Sequence, residues 1–235
     1  FGGEIEDALP TACAIEMLHA QSLIHDDLPC MDNDDLRRGK PSNHKVYGEA
    51  IATLAGDALI TFAQQIIIEK TPTNVANDRI LRLLYEYSIA AGAFGIVGGQ
   101  TADIEAENSK EKISLEHLNF IHKYKTGALF KFSLAAGAIL GGANDKQIDA
   151  VKAFGEKFGL AFQIKDDILD FTSTSEIMGK TTGKDENSNK STYVTIFGLN
   201  EAQQKLTSAV DECYGILRDN DIESEVLVKI IETLK

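Results

Sequence analysis

Apolar residues recur at three- and four-residue intervals along most of the chain, and no period-two alternation persists for six residues between turn signals. From Ala8 to Asp27 the residues Ala12, Ile15, Met17, Leu18, Leu23 and Ile24 are too densely apolar for a solvated helix, which predicts a buried helix ending near Pro29. Asp32 to Gly48, with Gly39, Pro41, Asn43 and mixed charge, reads as loop or a short irregular helix. Glu49 to Lys70 carries apolar residues on every turn and predicts a long buried helix. After the break at Thr71-Pro72 a further helix is expected over Asp78 to Gly98, on the stripe Ile80, Leu83, Leu84, Tyr87, Ile89 and Ala91. Ser114 is placed to cap a helix from Leu115 to about Tyr124 that continues or kinks into Thr126 to Leu140. In that second half Ala128, Ser133, Ala135, Ala136, Gly137 and Ala138 permit close helix approach. Asp145 to Asp170, Leu199 to Arg218 and Ser224 to Leu234 complete an all-α reading of residues 1–235 as one domain.

Composition supports this reading. The 235 residues contain four Pro, only one of them after position 41, and 43% are hydrophobic, which suffices for a real core. With 23 Lys and Arg against 36 Asp and Glu, the net charge of −13 disfavours nucleic acid and anionic membrane surfaces as partners. Three widely spaced cysteines indicate neither a disulfide framework nor a zinc site and fit a reducing compartment. No run of about 18 uninterrupted apolar residues occurs, so stable membrane insertion is not expected. The glycines at 92, 95, 98 and 99 lack dinucleotide-binding spacing, Gly179-Lys180-Thr181 lacks the rest of a phosphate loop, and His117 and His122 lack a neighbouring acid at metal-ligand spacing.

The acidic charge is concentrated. Asp26, Asp27, Asp32, Asp34 and Asp35 fall within ten residues, and Asp166, Asp167 and Asp170 form a second group 140 residues later. Both emerge from apolar helices, and the four-residue spacing puts Asp166 and Asp170 on one helix face. Two carboxylates about 4 Å apart repel by roughly 4 kcal/mol at an effective dielectric near 20. Such clustering costs stability unless a cation lies between the acids. All-oxygen ligands suit Mg²⁺, which takes one or two carboxylates and completes its octahedron with water and phosphate oxygens. Arg37 and Arg38 follow the first cluster, where guanidinium forks suit diphosphate, and Lys125-Thr126 pairs a point charge with a hydroxyl. Gly179 to Lys190, with Lys180, Lys184 and Lys190, has the composition of a mobile lid.

At these residues the sequence resembles the trans-prenyl diphosphate synthases, the farnesyl and geranylgeranyl diphosphate synthase family. His19 to Pro41, containing His25-Asp26-Asp27-Leu28-Pro29-Cys30-Met31-Asp32, is similar to the first aspartate-rich motif in its longer bacterial and plastid form. Gly56-Asp57, Gly98-Gly99-Gln100, Lys125-Thr126-Gly127-Ala128 and Phe162-Gln163-Ile164-Lys165-Asp166-Asp167-Ile168-Leu169-Asp170 match further family motifs in order. The resemblance implies a bundle of long helices around a deep apolar cavity, usually as a homodimer. It implies head-to-tail condensation of isopentenyl diphosphate with an allylic diphosphate: dimethylallyl, geranyl or farnesyl. Three Mg²⁺ ions are implied, two on Asp26 and Asp32 and one on Asp166, with Asp27 and Asp170 in support. Arg37, Lys125, Thr126, Gln163, Lys180 and Lys190 match positions that grip the allylic substrate, and His19 and Arg38 match the isopentenyl diphosphate site. Asp26, Asp32, Arg37, Lys125 and Asp166 are thus the candidate catalytic residues.

The family's Gly-Gly-Lys-Arg motif belongs about 40 residues before the first cluster, whereas Gly2-Gly3 are followed by Glu4 and Ile5. A missing N-terminal segment is therefore expected, the alternative being a modulating subunit that has lost part of the second substrate site. A terpene cyclase shares the first carboxylate cluster but normally carries an Asn/Ser/Glu metal motif in place of the second. The cytoplasm is the expected location, or a plastid if a transit segment precedes the chain. Chain length is expected to depend on Gln21 and Ser22, one turn before Asp26. An aromatic residue at the Gln21 position commonly accompanies farnesyl products in the family, so Gln21 points to geranylgeranyl diphosphate, with farnesyl diphosphate the alternative.

Overall fold

The computed structural model describes residues 1–109, 113–172 and 191–235, and the expected lid with Lys180, Lys184 and Lys190 lies outside them. The elements are α1 (Ile5–Asp26), a ribbon of β1 (Leu36–Arg37) and β2 (Lys40–Pro41), α2 (Asn43–Tyr47), α3 (Glu49–Lys70), α4 (Asn77–Ala91) and α5 (Ile96–Glu107). They continue with α6 (Leu115–Ile121), a π-helical turn (His122–Thr126), α7 (Gly127–Leu140), α8 (Asp145–Thr172), α9 (Tyr193–Phe197), α10 (Leu199–Asp219) and α11 (Glu225–Glu232). Among the described residues the strands amount to one ribbon of two two-residue strands, so the all-α reading holds.

Helix α1 packs on α3 and α7, α7 packs on α4 and α8, and α8 carries α10 on its far side. The central core joins Leu18 of α1, Ile67 of α3, Leu83 and Tyr87 of α4, and Phe132 and Ala135 of α7. Of the small residues expected to allow close approach along α7, Ala128, Ala135, Ala136 and Ala138 are buried, whereas Ser133 is half-buried and Gly137 faces outward. Ser114 caps α6 by accepting from the His117 backbone N–H at 3.2 Å. One buried charge braces α4 against α8. Glu86 is 5% exposed, and its carboxylate accepts from Lys152 Nζ at 2.8 Å on both oxygens and from Arg82 Nε at 3.1 Å.

Two expectations need correction. The single helix over Asp78 to Gly98 is two, α4 and α5, separated at Gly92–Gly95. The chain turns back so tightly there that a Cβ on Gly95 would lie 2.1 Å from the Ala90 carbonyl oxygen, a fit open only to glycine. Helix α3 is not wholly buried: its small residues Ala52, Gly56 and Ala63 face inward with Ile67. Ile51, Leu54, Phe62 and Ile68 are exposed, as are Leu81 and Tyr85 of α4, Phe94 of the turn that follows it and Val97 of α5. By length and composition alone α3 is also apolar enough to cross a membrane, although no single run of about 18 apolar residues marks it.

Candidate active site

Helix α1 delivers Asp26 at its last turn, and α8 delivers Asp166 and Asp170 on its own C-terminal half. These residues, with Asp32, Asp34, Asp103, Glu107 and Asp167, line a chamber of about 250 Å³. Eight carboxylates thus face Arg37, Lys125 and His122 as the basic side chains of the described lining. Behind the chamber lies a cavity of about 1100 Å³ walled by Ile15, Ile96, Leu129, Phe130 and Phe162. Asp26, Arg37, Lys125, Gln163 and Asp166 line both spaces, so the acidic chamber opens directly onto an apolar one.

The cations are held by carboxylates. Lys125 Nζ lies 2.7 Å from Asp103 Oδ2 and 3.3 Å from Asp26 Oδ1. Its placement depends on the π-helical turn, which inserts an extra residue per turn and so re-aims side chains. Helix α5 packs against that turn at Gly99, where a Cβ would stand 2.0 Å from the Lys125 backbone nitrogen. The next residue, Thr126, donates its hydroxyl to Gln163 Oε1 of α8 at 2.9 Å, joining the two walls.

Arg37 and Arg38 are presented by the β-ribbon. Arg38 and Gly39 form its two-residue turn with φ of 53° and 74°, the left-handed pair that matches strand twist. Arg37 donates Nε to Asp27 Oδ1 at 3.0 Å, pairs with the same carboxylate through Nη2, and approaches Asp34 at 3.5 Å. Asp27 raises the guanidinium pKa still further above its ordinary value, against the opposing effect of burial. Arg38 Nη2 lies 3.4 Å from His19 Nε2, so the two residues expected at one substrate site do meet.

The structure therefore brings together Asp26, Asp32, Arg37, Lys125, Gln163 and Asp166 around one chamber, with Asp170 on its rim. Thr126, His19, Gln21 and Ser22 line the apolar cavity. Asp27 departs from its expected place. It is 3% exposed, is absent from the lining of both spaces, and holds Arg37 instead of facing the chamber. Lys180 and Lys190 lie outside the described residues.

One buried lining residue, Asp103, has no place in the sequence reading. Asp103 is 4% exposed and is the tighter partner of Lys125; its signal was its place three residues after Gln100 of the glycine motif. Asp167 accepts the Tyr193 backbone N–H at 2.8 Å, fixing the start of α9 beside the chamber. Burial, and secondarily Asp167, pushes the Tyr193 hydroxyl up to about 12. That phenol also bonds Asn119, and its ring stacks on His122 at 5.7 Å between centroids.

The donor set fits Mg²⁺. Among the described residues no three acids converge into a ready-made cage, and the carboxylates instead face one another from separate elements. That is the arrangement Mg²⁺ uses, because it is held by few carboxylates and completes its shell with water and phosphate oxygens.

The family model for polyprenyl synthetase matches residues 2–234. A farnesyl diphosphate synthase from Geobacillus stearothermophilus is 47% identical over 95% of this chain and 75% of its own length. A chloroplastic geranylgeranyl pyrophosphate synthase from Catharanthus roseus is 50% identical over 87% of this chain and 57% of its own length. This chain thus spans less than two thirds of the Catharanthus protein. Among solved structures, a geranyltransferase from Helicobacter pylori, complexed with magnesium and isoprenyl diphosphate, superposes with a TM-score of 0.84. It shares 36% identity, covering 97% of this chain and 73% of that one. The match from end to end, on a helical bundle that carries its carboxylates at the mouth of an apolar cavity, establishes that this chain belongs to the polyprenyl synthetase family.

Proposed function

We propose that the protein condenses isopentenyl diphosphate head-to-tail with an allylic diphosphate, and that geranylgeranyl diphosphate is its main product. The observation that carries this reading is the junction itself: a charged chamber and an apolar cavity share Asp26, Arg37, Lys125, Gln163 and Asp166. A molecule with a diphosphate head and a hydrocarbon tail matches both halves at once.

Asp26 and Asp32 would hold two Mg²⁺ ions and Asp166, backed by Asp170, a third; bound there, Mg²⁺ would neutralise charge on the diphosphate. The protein's cations do the remaining electrostatic work. Lys125 and Arg37 are preorganised where negative charge grows as the allylic C–O bond breaks and its electron pair leaves with diphosphate, and the Thr126 hydroxyl holds Gln163 beside them. With its carbonyl bonded to Thr126, Gln163 keeps its NH₂ for a phosphate oxygen. The allylic cation then meets the isopentenyl double bond, whose π electrons form the new C–C bond. Phe130 and Phe162, with ring centroids 5.4 Å apart, wall this space and offer π faces to the cation while keeping water away. The final proton leaves to the departing diphosphate, so no side-chain base is invoked. His19 and Arg38 hold the isopentenyl diphosphate.

The product assignment rests on Gln21, which lines the cavity one turn before Asp26 and carries no ring to block it. Each methylene buried along the cavity gains about 0.8 kcal/mol, so growth continues until a side chain stops it.

A homodimer belongs to the same reading. Ile51, Leu54, Phe62 and Ile68 give α3 an exposed apolar face, and Leu81, Tyr85 and Phe94 are exposed as well. A second copy packed through the same face across a two-fold axis covers it with its own complement. Sedimentation of the full-length protein should give twice the subunit mass, and Leu54→Glu should reduce it to the monomer. A wild-type monomer, or one that partitions into lipid vesicles, would refute this use of the face.

A further inference from the structure

The polar end of Gln21 is the only part of that side chain that does not suit the apolar cavity it lines. The residue is 6% exposed, and its amide Nε2 donates to Nδ1 of His25, one helical turn later, at 3.1 Å. The other ring nitrogen of His25, Nε2, lies 3.1 Å from the backbone carbonyl of Thr53 on α3. The two bonds require one tautomer: Nε2 carries the proton and donates to Thr53, which leaves Nδ1 to accept from Gln21.

The ring has a seat made for it. A Cβ on Gly56 of α3 would stand 2.0 Å from His25 Nε2 and 2.3 Å from Cδ2, so only glycine admits the ring at this position. Gln21 and His25 both line the apolar cavity. Ser22, which also lines it, turns its hydroxyl back onto the His19 carbonyl at 2.9 Å. At this level of α1 the Gln21 amide is therefore the polar group whose position can vary, and His25 decides where it points. A glutamine has three rotatable bonds, and an amide that loses its partner in an apolar space turns to seek another.

We propose that His25 is a positioning residue for product length: pinned between Gly56 and Thr53, it holds the Gln21 amide back along the α1 wall and keeps the cavity open for the last five-carbon unit. The proposal rests on the synthase reading above. It adds a determinant that touches neither diphosphate nor the reacting carbons and acts only through Gln21. Released from the ring, the amide swings across the cavity and raises its floor, so the products become shorter.

The test compares four forms of the full-length protein: wild type, His25→Phe, Gln21→Leu and the double variant. Phe keeps an aromatic ring in the seat and removes both hydrogen bonds. Each form is incubated with Mg²⁺, an allylic primer and labelled isopentenyl diphosphate, and the ratio of the longest product to the one five carbons shorter is read by chromatography. In His25→Phe that ratio should fall at least about threefold, whereas adding His25→Phe to Gln21→Leu should change it by less than about 1.5-fold, since coupled residues are non-additive. A ratio unchanged or raised in His25→Phe, or an equal change in the Gln21→Leu background, would overturn the proposal. If circular dichroism shows His25→Phe to be unfolded, Gly56→Ala displaces the ring from the opposite helix and must lower the same ratio. A wild type that makes no elongated product strikes the synthase reading and the tether together; product with an unmoved ratio strikes the tether alone.

Discussion

Asp26→Ala should lower turnover by at least about a thousandfold while leaving the fold almost as stable as before. The two outcomes separate because Asp26 contributes to them with opposite sign. In the chamber it is one of eight carboxylates, and removing one repelling charge offsets the loss of its 3.3 Å pair with Lys125. Its side chain retains 17% exposure, so the pair is partly screened, and the net change should stay within about 1 kcal/mol. For a domain of this size that moves the midpoint of thermal unfolding in metal-free buffer by no more than about 4 °C. Addition of Mg²⁺ and inorganic diphosphate should raise the wild-type midpoint, since a ligand that binds only the native state stabilises it, and should raise the variant's far less. Wild-type turnover in Asp26→Ala would remove Asp26 from the site.

Lys125→Ala should damage both properties. Its ammonium stands between Asp26 and the buried Asp103, and the 2.7 Å contact with Asp103 is the shorter of the two. Truncation leaves acids from α1 and α5 facing one another without the cation that reconciles them. Breaking a buried pair by removing one member costs about 3 kcal/mol, or roughly 6 to 12 °C in the unfolding midpoint here. Turnover should fall by about a hundred- to a thousandfold, because under the proposed function the lost charge is one of those arranged around the leaving diphosphate. Melting curves and initial rates on the same preparations check the pair. Equal stability losses in Asp26→Ala and Lys125→Ala would contradict the electrostatic roles assigned to them.

Much of this arrangement was legible because the fold repeats one device. Helices α1, α3 and α8 follow from long apolar patterns whose one proline, Pro10, lies in the second turn of α1, and the aspartate clusters follow from acids placed toward the ends of those helices. What stayed hidden depended on contacts between elements. Gly92 and Gly95 sit inside a pattern that otherwise continues as helix, and only the backbone approach of Ala90 to Gly95 shows why α4 stops. The turn Arg38-Gly39 is a weaker hairpin signal than Asn-Gly, so the ribbon that presents Arg37 read as loop. Asp103 finds Lys125 only because Gly99 lets α5 reach the π-helical turn, which no local spacing encodes. The resemblance implies Asp27 as a support for the metal residues, whereas its carboxylate holds Arg37 of the ribbon, a contact between elements that local spacing does not encode. The density of apolar residues on α3 could not distinguish core from interface, since both remove the same side chains from water.

The decisive measurement is product analysis by reversed-phase chromatography of the full-length protein incubated with Mg²⁺, an allylic diphosphate primer and labelled isopentenyl diphosphate, with and without a chelator. Label should appear in a prenyl diphosphate, chiefly of twenty carbons, and chelation should abolish it. Absence of any elongated product, or diphosphate released from the allylic primer without isopentenyl diphosphate, would contradict the synthase reading.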